Sequence, residues 1–292
     1  MPVINFSVTK MLIICNEDKQ YTKFYKMKRI FVCWLFLSVG FLSYSQVAKD
    51  NKMPVTTSSK QALTFYNEAM KCFDDVALDR GLDLLINSLE EDQDFFMANY
   101  QMSLYYSGAG DFEKFSEYAG AAVNCKTKLS QAEELLKSAL KELEKGEGGD
   151  VTYIGKKLVE MYPADINSYN NLFYFQSFIN DLDGGLETLN KALKIAEDTA
   201  PIYNQLGYVY LGLKQNEKAE ESFDKYIELD PGNPNVYDSK GDYYMYLKDY
   251  RKAYESYMKA HMTDNSWSTE KARNARQLYE NTEGKRLEII TL

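Results

Sequence analysis

The residues that could do chemistry in this chain are few, and they do not stand at catalytic spacings. His261 is the single histidine, so an imidazole acid, base or metal site lacks the partners it needs, and His261 is expected to be a satisfied histidine at a helix end. Four cysteines are present: Cys15 and Cys33 lie in a stretch expected to be removed, while Cys72 and Cys125 read as buried small hydrophobes, with a disulfide between them as the alternative. Gly146-Glu147-Gly148-Gly149 follows no strand and precedes no Lys-Ser/Thr pair, which makes it a turn and not a phosphate loop. Carboxylates such as Glu90-Glu91-Asp92 read as solvated helix ends. An enzyme built on this chain would have to use a carboxylate or tyrosine site around Asp238 or Asp242. No nucleophile-base pair accompanies them, so the chain reads as a non-enzyme that needs no cofactor and no metal.

Composition narrows the partners. The net charge is -9, and residues 1–45 are themselves basic, so the remainder is more acidic still. Such a body repels phosphate backbones and anionic lipid surfaces, and nucleic acid is not an expected partner. Twenty-four tyrosines against two tryptophans and six prolines suit stacked helix pairs in which Tyr fills the space between helices with its hydroxyl at the surface.

The N-terminus reads as an address. From Met27 the chain runs MKRIFVCWLFLSVGFLSYSQ, with two basic residues, an apolar run from Ile30 to Leu42, and small residues before Gln46. This is the pattern of a secretory signal peptide cleaved after Ser45, which implies a periplasmic or secreted protein. The alternative is a membrane anchor over residues 30–47, and only an uncleaved segment would make the membrane a partner. Residues 1–26 show no usable periodicity and suggest that translation starts at Met27 rather than Met1. Residues 46–59 are polar with one proline and are expected to be a flexible lead-in, with Ser58 and Ser59 as candidate helix caps.

The elements that must position anything else repeat. In Ala200 to Asn233, Tyr203, Leu206, Gly207, Tyr210, Ala219, Phe223 and Pro231 fall at the spacings of a tetratricopeptide repeat, which this stretch resembles. The register carries to units starting near residues 62, 96, 132, 166, 200 and 234, covering residues 60–265. Gly241, Ala253, Tyr257 and Ala260 mark the last unit, and Phe173 replaces the small residue of the fourth, which should push its two helices apart or shift their crossing. Residues 266–292 read as a capping helix and tail, with Ala272, Ala275, Leu278 and Tyr279 as its apolar stripe. The expected fold is all-α, an α-solenoid of about six helix-turn-helix units with a C-terminal capping helix.

The resemblance implies a non-catalytic scaffold that binds a protein or peptide along the inner face of its first helices. On this sequence that face maps to Asn167, Asn170, Tyr174, Ser177 and Phe178, to Asn204, Tyr208 and Leu211, and to Asn235, Asp238, Asp242, Met245 and Tyr246. Amides can bond an extended backbone, and tyrosines supply contact area at low entropic cost. The set holds no Lys or Arg, so a neutral or basic segment steered by Asp238 and Asp242 is the expected partner. A membrane-tethered adaptor is the alternative.

Overall fold

The computed structural model describes residues 52–145 and 149–287. The expected leader, its cleavage site, the lead before Met27, most of the Gly146-Glu147-Gly148-Gly149 turn and the last residues of the tail lie outside them. Among the described residues the chain is all helical: α1 Lys60–Asp74, α2 Leu78–Glu91, α3 Phe96–Ala109, α4 Phe112–Val123, α5 Gln131–Glu144, α6 Thr152–Met161, α7 Ile166–Phe178, α8 Leu182–Ala192, α9 Ala200–Gly212, α10 Asn216–Leu229, α11 Pro234–Tyr246, α12 Tyr250–Thr263 and α13 Thr269–Glu283. None of them is long and apolar enough to cross a membrane.

In the second, fourth, fifth and sixth units one turn chemistry joins the two helices. Gly110, Asn180, Lys214 and Lys248 each adopt a left-handed backbone conformation, with φ of 73°, 58°, 58° and 61°. The next N–H, that of Asp111, Asp181, Gln215 or Asp249, donates back to Tyr106, Gln176, Tyr210 or Tyr244. This is a Schellman closure. Asp111, Asp181 and Asp249 then cap the second helix with their side chains.

Burial divides the helices into two kinds. The first helices α3, α7, α9 and α11 are buried on nearly all sides: Phe96, Tyr100 and Met102, then Leu172, Phe173 and Phe175, then Leu206, Tyr208, Val209 and Leu211, then Val236, Tyr237 and Tyr243. The second helices keep one apolar face, as with Phe115, Ala119 and Ala122 in α4 and Ala219, Phe223 and Tyr226 in α10. Phe173 does not stay unmatched. Its ring covers Gly185, where an added Cβ would come within 3.2 Å, so in this unit the small residue sits on the second helix instead of the first.

The lead-in departs from expectation over residues 53–59. Met53 is buried, its N–H donates to Asp165, Thr56 binds Glu133, and Thr57 and Ser58 bind Asp92. Polar composition looked flexible because the partners lie 34 to 112 residues away and leave no local trace. Ser59 does cap α1, through Ala62, while Ser58 is spent on Asp92. The chain also folds back on itself: Tyr100 donates to Asn171 at 2.7 Å, and Asn233 donates to the carbonyl of Asp75 at 3.2 Å.

Candidate protein-binding site

The predicted inner-face residues separate once their surroundings are drawn. Asp238, on α11, is 2 % exposed, and Lys271 of α13 reaches it at 2.6 and 2.8 Å. The same ammonium lies 3.0 Å from Asp242, and the hydroxyl of Ser268 donates to Asp238 at 2.7 Å. Asp242 also accepts from Tyr257 at 2.7 Å and from Tyr208 at 2.9 Å. Burial, reinforced by the two carboxylates, holds the Tyr257 phenol well above its ordinary range, so it remains a neutral donor. The carboxylates expected to steer a basic partner are thus engaged by the chain's own capping helix. The cation that answers them is internal, and the network around it ties α9, α11, α12 and α13 together.

Tyr208 and Asp242 stand 34 residues apart, the length of one tetratricopeptide repeat. Residues 200–233 and 234–261 match the family model described as the tetratricopeptide repeat. These two units carry tetratricopeptide repeats. No curated protein matches the chain. Among solved structures, a thermophilic tetratricopeptide protein of Thermus thermophilus is 17% identical with TM-score 0.43, the match covering 77% of this chain and 100% of that one. A tetratricopeptide repeat protein from Parabacteroides merdae is 12% identical with TM-score 0.48, over 76% and 85% of the two chains. Yeast Tom70 is 11% identical with TM-score 0.49, over 80% and 55%.

Several of the candidate residues are structural. Leu211 is fully buried. Tyr174 is buried, bonded to Ser107 and raised in pKa by that burial, so it joins α7 to α3. Asn235 donates to the Tyr226 hydroxyl at 2.9 Å. Asn204 is buried as well, and its Oδ1 has no hydrogen-bond partner, nor does the Ser177 hydroxyl. Asn167 is exposed and Asn170 and Met245 are half-buried, while Phe178 and Tyr246 are exposed by 41 and 36 %. Beside these two, Ile179 and Leu247 are also exposed, so the same two places in the fourth and sixth units present an apolar pair at the end of the first helix.

Two features were missed from sequence. Lys240 is buried on α11 and paired with Asp224 at 2.7 Å and Glu220 at 3.3 Å, with its ammonium over the rings of Tyr243 and Tyr244. The Lys240 charge and hydrogen bonds from Lys240 and both tyrosines outweigh burial and hold the Glu220 carboxyl below its usual range. The signal was available: Lys240 falls one repeat after Leu206 and two after Leu172, a break in an apolar register opposite acidic residues four apart. The other is the strap of residues 53–59. His261 behaves as expected, its Nδ1 lying 3.2 Å from the Trp267 carbonyl and from the Thr269 hydroxyl. Cys72 and Cys125 are free buried thiols. Among the described residues no group of three or more His, Cys, Asp or Glu could hold a metal.

Proposed function

We propose that the array is a non-catalytic scaffold that holds a neutral, extended segment of a protein partner along the open ends of its first helices. The recurring apolar pair carries this reading: Phe178-Ile179 ends α7 and Tyr246-Leu247 ends α11, each left exposed at the same turn of a repeat. A rigid stack that shows aromatics at a fixed repeat offers anchors in register, and Asn167 and Asn170 add amides able to bond a main chain. A basic partner is no longer favoured, since Asp238 and Asp242 are answered by Lys271. The apolar run from Ile30 to Leu42 supports a periplasmic or secreted location, and a mature chain whose mass begins at Gln46 is the result expected.

The test is affinity capture from an envelope fraction with residues 46–292, beside the same bait carrying Phe178→Ala, Tyr246→Ala and Asn170→Ala. A protein held by the first and lost by the second, at unchanged helicity, supports the surface. Equal retention by both baits removes it.

A further inference from the structure

Residues 53–58 are held by their main-chain N–H groups and hydroxyls. Among the described residues, the hydrogen bonds that tie the strap to distant parts of the chain all run from the strap to a carboxylate. The Met53 N–H donates to Asp165 Oδ2. The Thr56 N–H and hydroxyl donate to the two oxygens of Glu133, each at 2.7 Å. The Thr57 hydroxyl at 2.6 Å, and the Ser58 N–H and hydroxyl at 3.0 Å, all meet Asp92 Oδ2. Main-chain N–H groups and β-hydroxyls are what is read, and the apolar side chains seated are Met53, 8 % exposed, and the half-buried Val55, packed against the same core.

Asp165 and Asp92 divide their oxygens between the fold and the strap, and Glu133 Oε2 accepts from both. Asp165 Oδ1 accepts from the Asn167 N–H at the start of α7, and Asp92 Oδ1 from the Asp94 N–H before α3. Glu133 closes the capping box of α5 with Ser130. Their remaining capacity is turned to the strap, although Glu133, Asp165 and Asp92 are only 0, 3 and 9 % exposed. Burial raises the Asp92 carboxyl, and the bonds from Thr57 and Ser58 outweigh it and leave it below the usual range. That low exposure holds with the strap in place; once it is withdrawn, its donors have to be replaced by water or by the N–H and hydroxyl groups of another segment. What the seat takes is donors rather than this particular sequence.

We propose that this seat is a peptide-binding site which the chain fills with its own residues 53–58, and which accepts in trans a protein segment of the same chemistry. That segment is extended, uncharged, and carries an apolar residue followed three to five places later by Thr or Ser with free N–H groups. This surface is separate from the first-helix ends proposed above, and neither reading depends on the other. The tethered strap has the advantage of effective concentration, so a partner enters when the strap is withdrawn or outcompeted.

The probe is a fluorescent, N-acylated and C-amidated peptide of sequence MPVTTSS, followed by anisotropy against the full chain and against the full chain with Met53→Ala and Thr56→Pro, which removes the seated side chain and one N–H and hydroxyl. Binding to the strap variant is expected to be at least about tenfold tighter than to the unaltered chain. Adding Glu133→Gln should abolish that gain. A strap variant of native helicity that binds no probe, or binds it regardless of Glu133→Gln, overturns the proposal. Hydrogen exchange on the unaltered chain gives an independent reading should the variant not fold. The Thr56 and Ser58 amides are expected to exchange well before those of Tyr100 and Leu136, and equal protection would mean that the strap leaves only on global unfolding, which also overturns it.

Discussion

The Tyr208 hydroxyl donates to Asp242 at 2.9 Å across one repeat, and the same carboxylate receives Lys271 from the capping helix at 3.0 Å. Repeat arrays are held by contacts between neighbours. Here a junction between neighbours is polar, and it passes the last unit's first helix directly to α13.

Lys271→Met would leave Asp238, 2 % exposed, without its ammonium. A buried charge stripped of its partner costs about 3 kcal/mol or more. The loss should appear in urea unfolding, and limited proteolysis should cut α13 first. Unchanged stability would show that Ser268 and solvent suffice for Asp238.

Close approach fixes the sign of two glycine substitutions. A Cβ on Gly155 would stand 2.7 Å from the backbone Cα of Leu172, which cannot move aside as a side chain can. Gly155→Ala is expected to cost about 2 kcal/mol. Gly120 meets nothing within 4 Å inside α4, so Gly120→Ala should instead stabilise by about 0.5–1 kcal/mol. Thermal melts of the pair check both signs.

The turns at Lys214 and Lys248 hold a lysine at φ of 58° and 61°, a backbone that favours glycine. Lys214→Gly relieves this while giving the unfolded chain more freedom. A net gain of about 0.5 kcal/mol is expected by urea unfolding, and a comparable one for Lys248→Gly.

Acidity should act at the fold-back. Desolvation of its carboxyl, then the charges of Asp198 and Asp75, push Asp74 up to about 6, although the residue as a whole is exposed and water therefore weakens both effects. Between an unfolded value of about 4 and this folded value, the folded chain binds more protons than the unfolded one. Stability from this group therefore falls as pH rises through that window and is lowest above it. Asp74→Asn should raise the melting temperature at pH 7.5, and the difference should shrink toward pH 4. An equal difference at both pH values contradicts the assignment.

The sequence by itself determined the helix pairs, the close glycines at Gly207 and Gly241, and the all-α repeat fold, since these depend on apolar spacing within one unit. An added Cβ at those two glycines would meet the rings of Phe223 and Tyr257 at 2.5 and 2.4 Å, sixteen residues on in each case. It also singled out Tyr208, Asp238 and Asp242 as recurring inner-face positions, without showing whether they face a partner or a neighbour. Only the tertiary structure decided that. Lys271 is 29 residues from Asp242, and Met53 is 112 from Asp165. Pairings over such distances are chosen by how the units stack, and a local period carries no record of which charge will be answered from elsewhere in the chain.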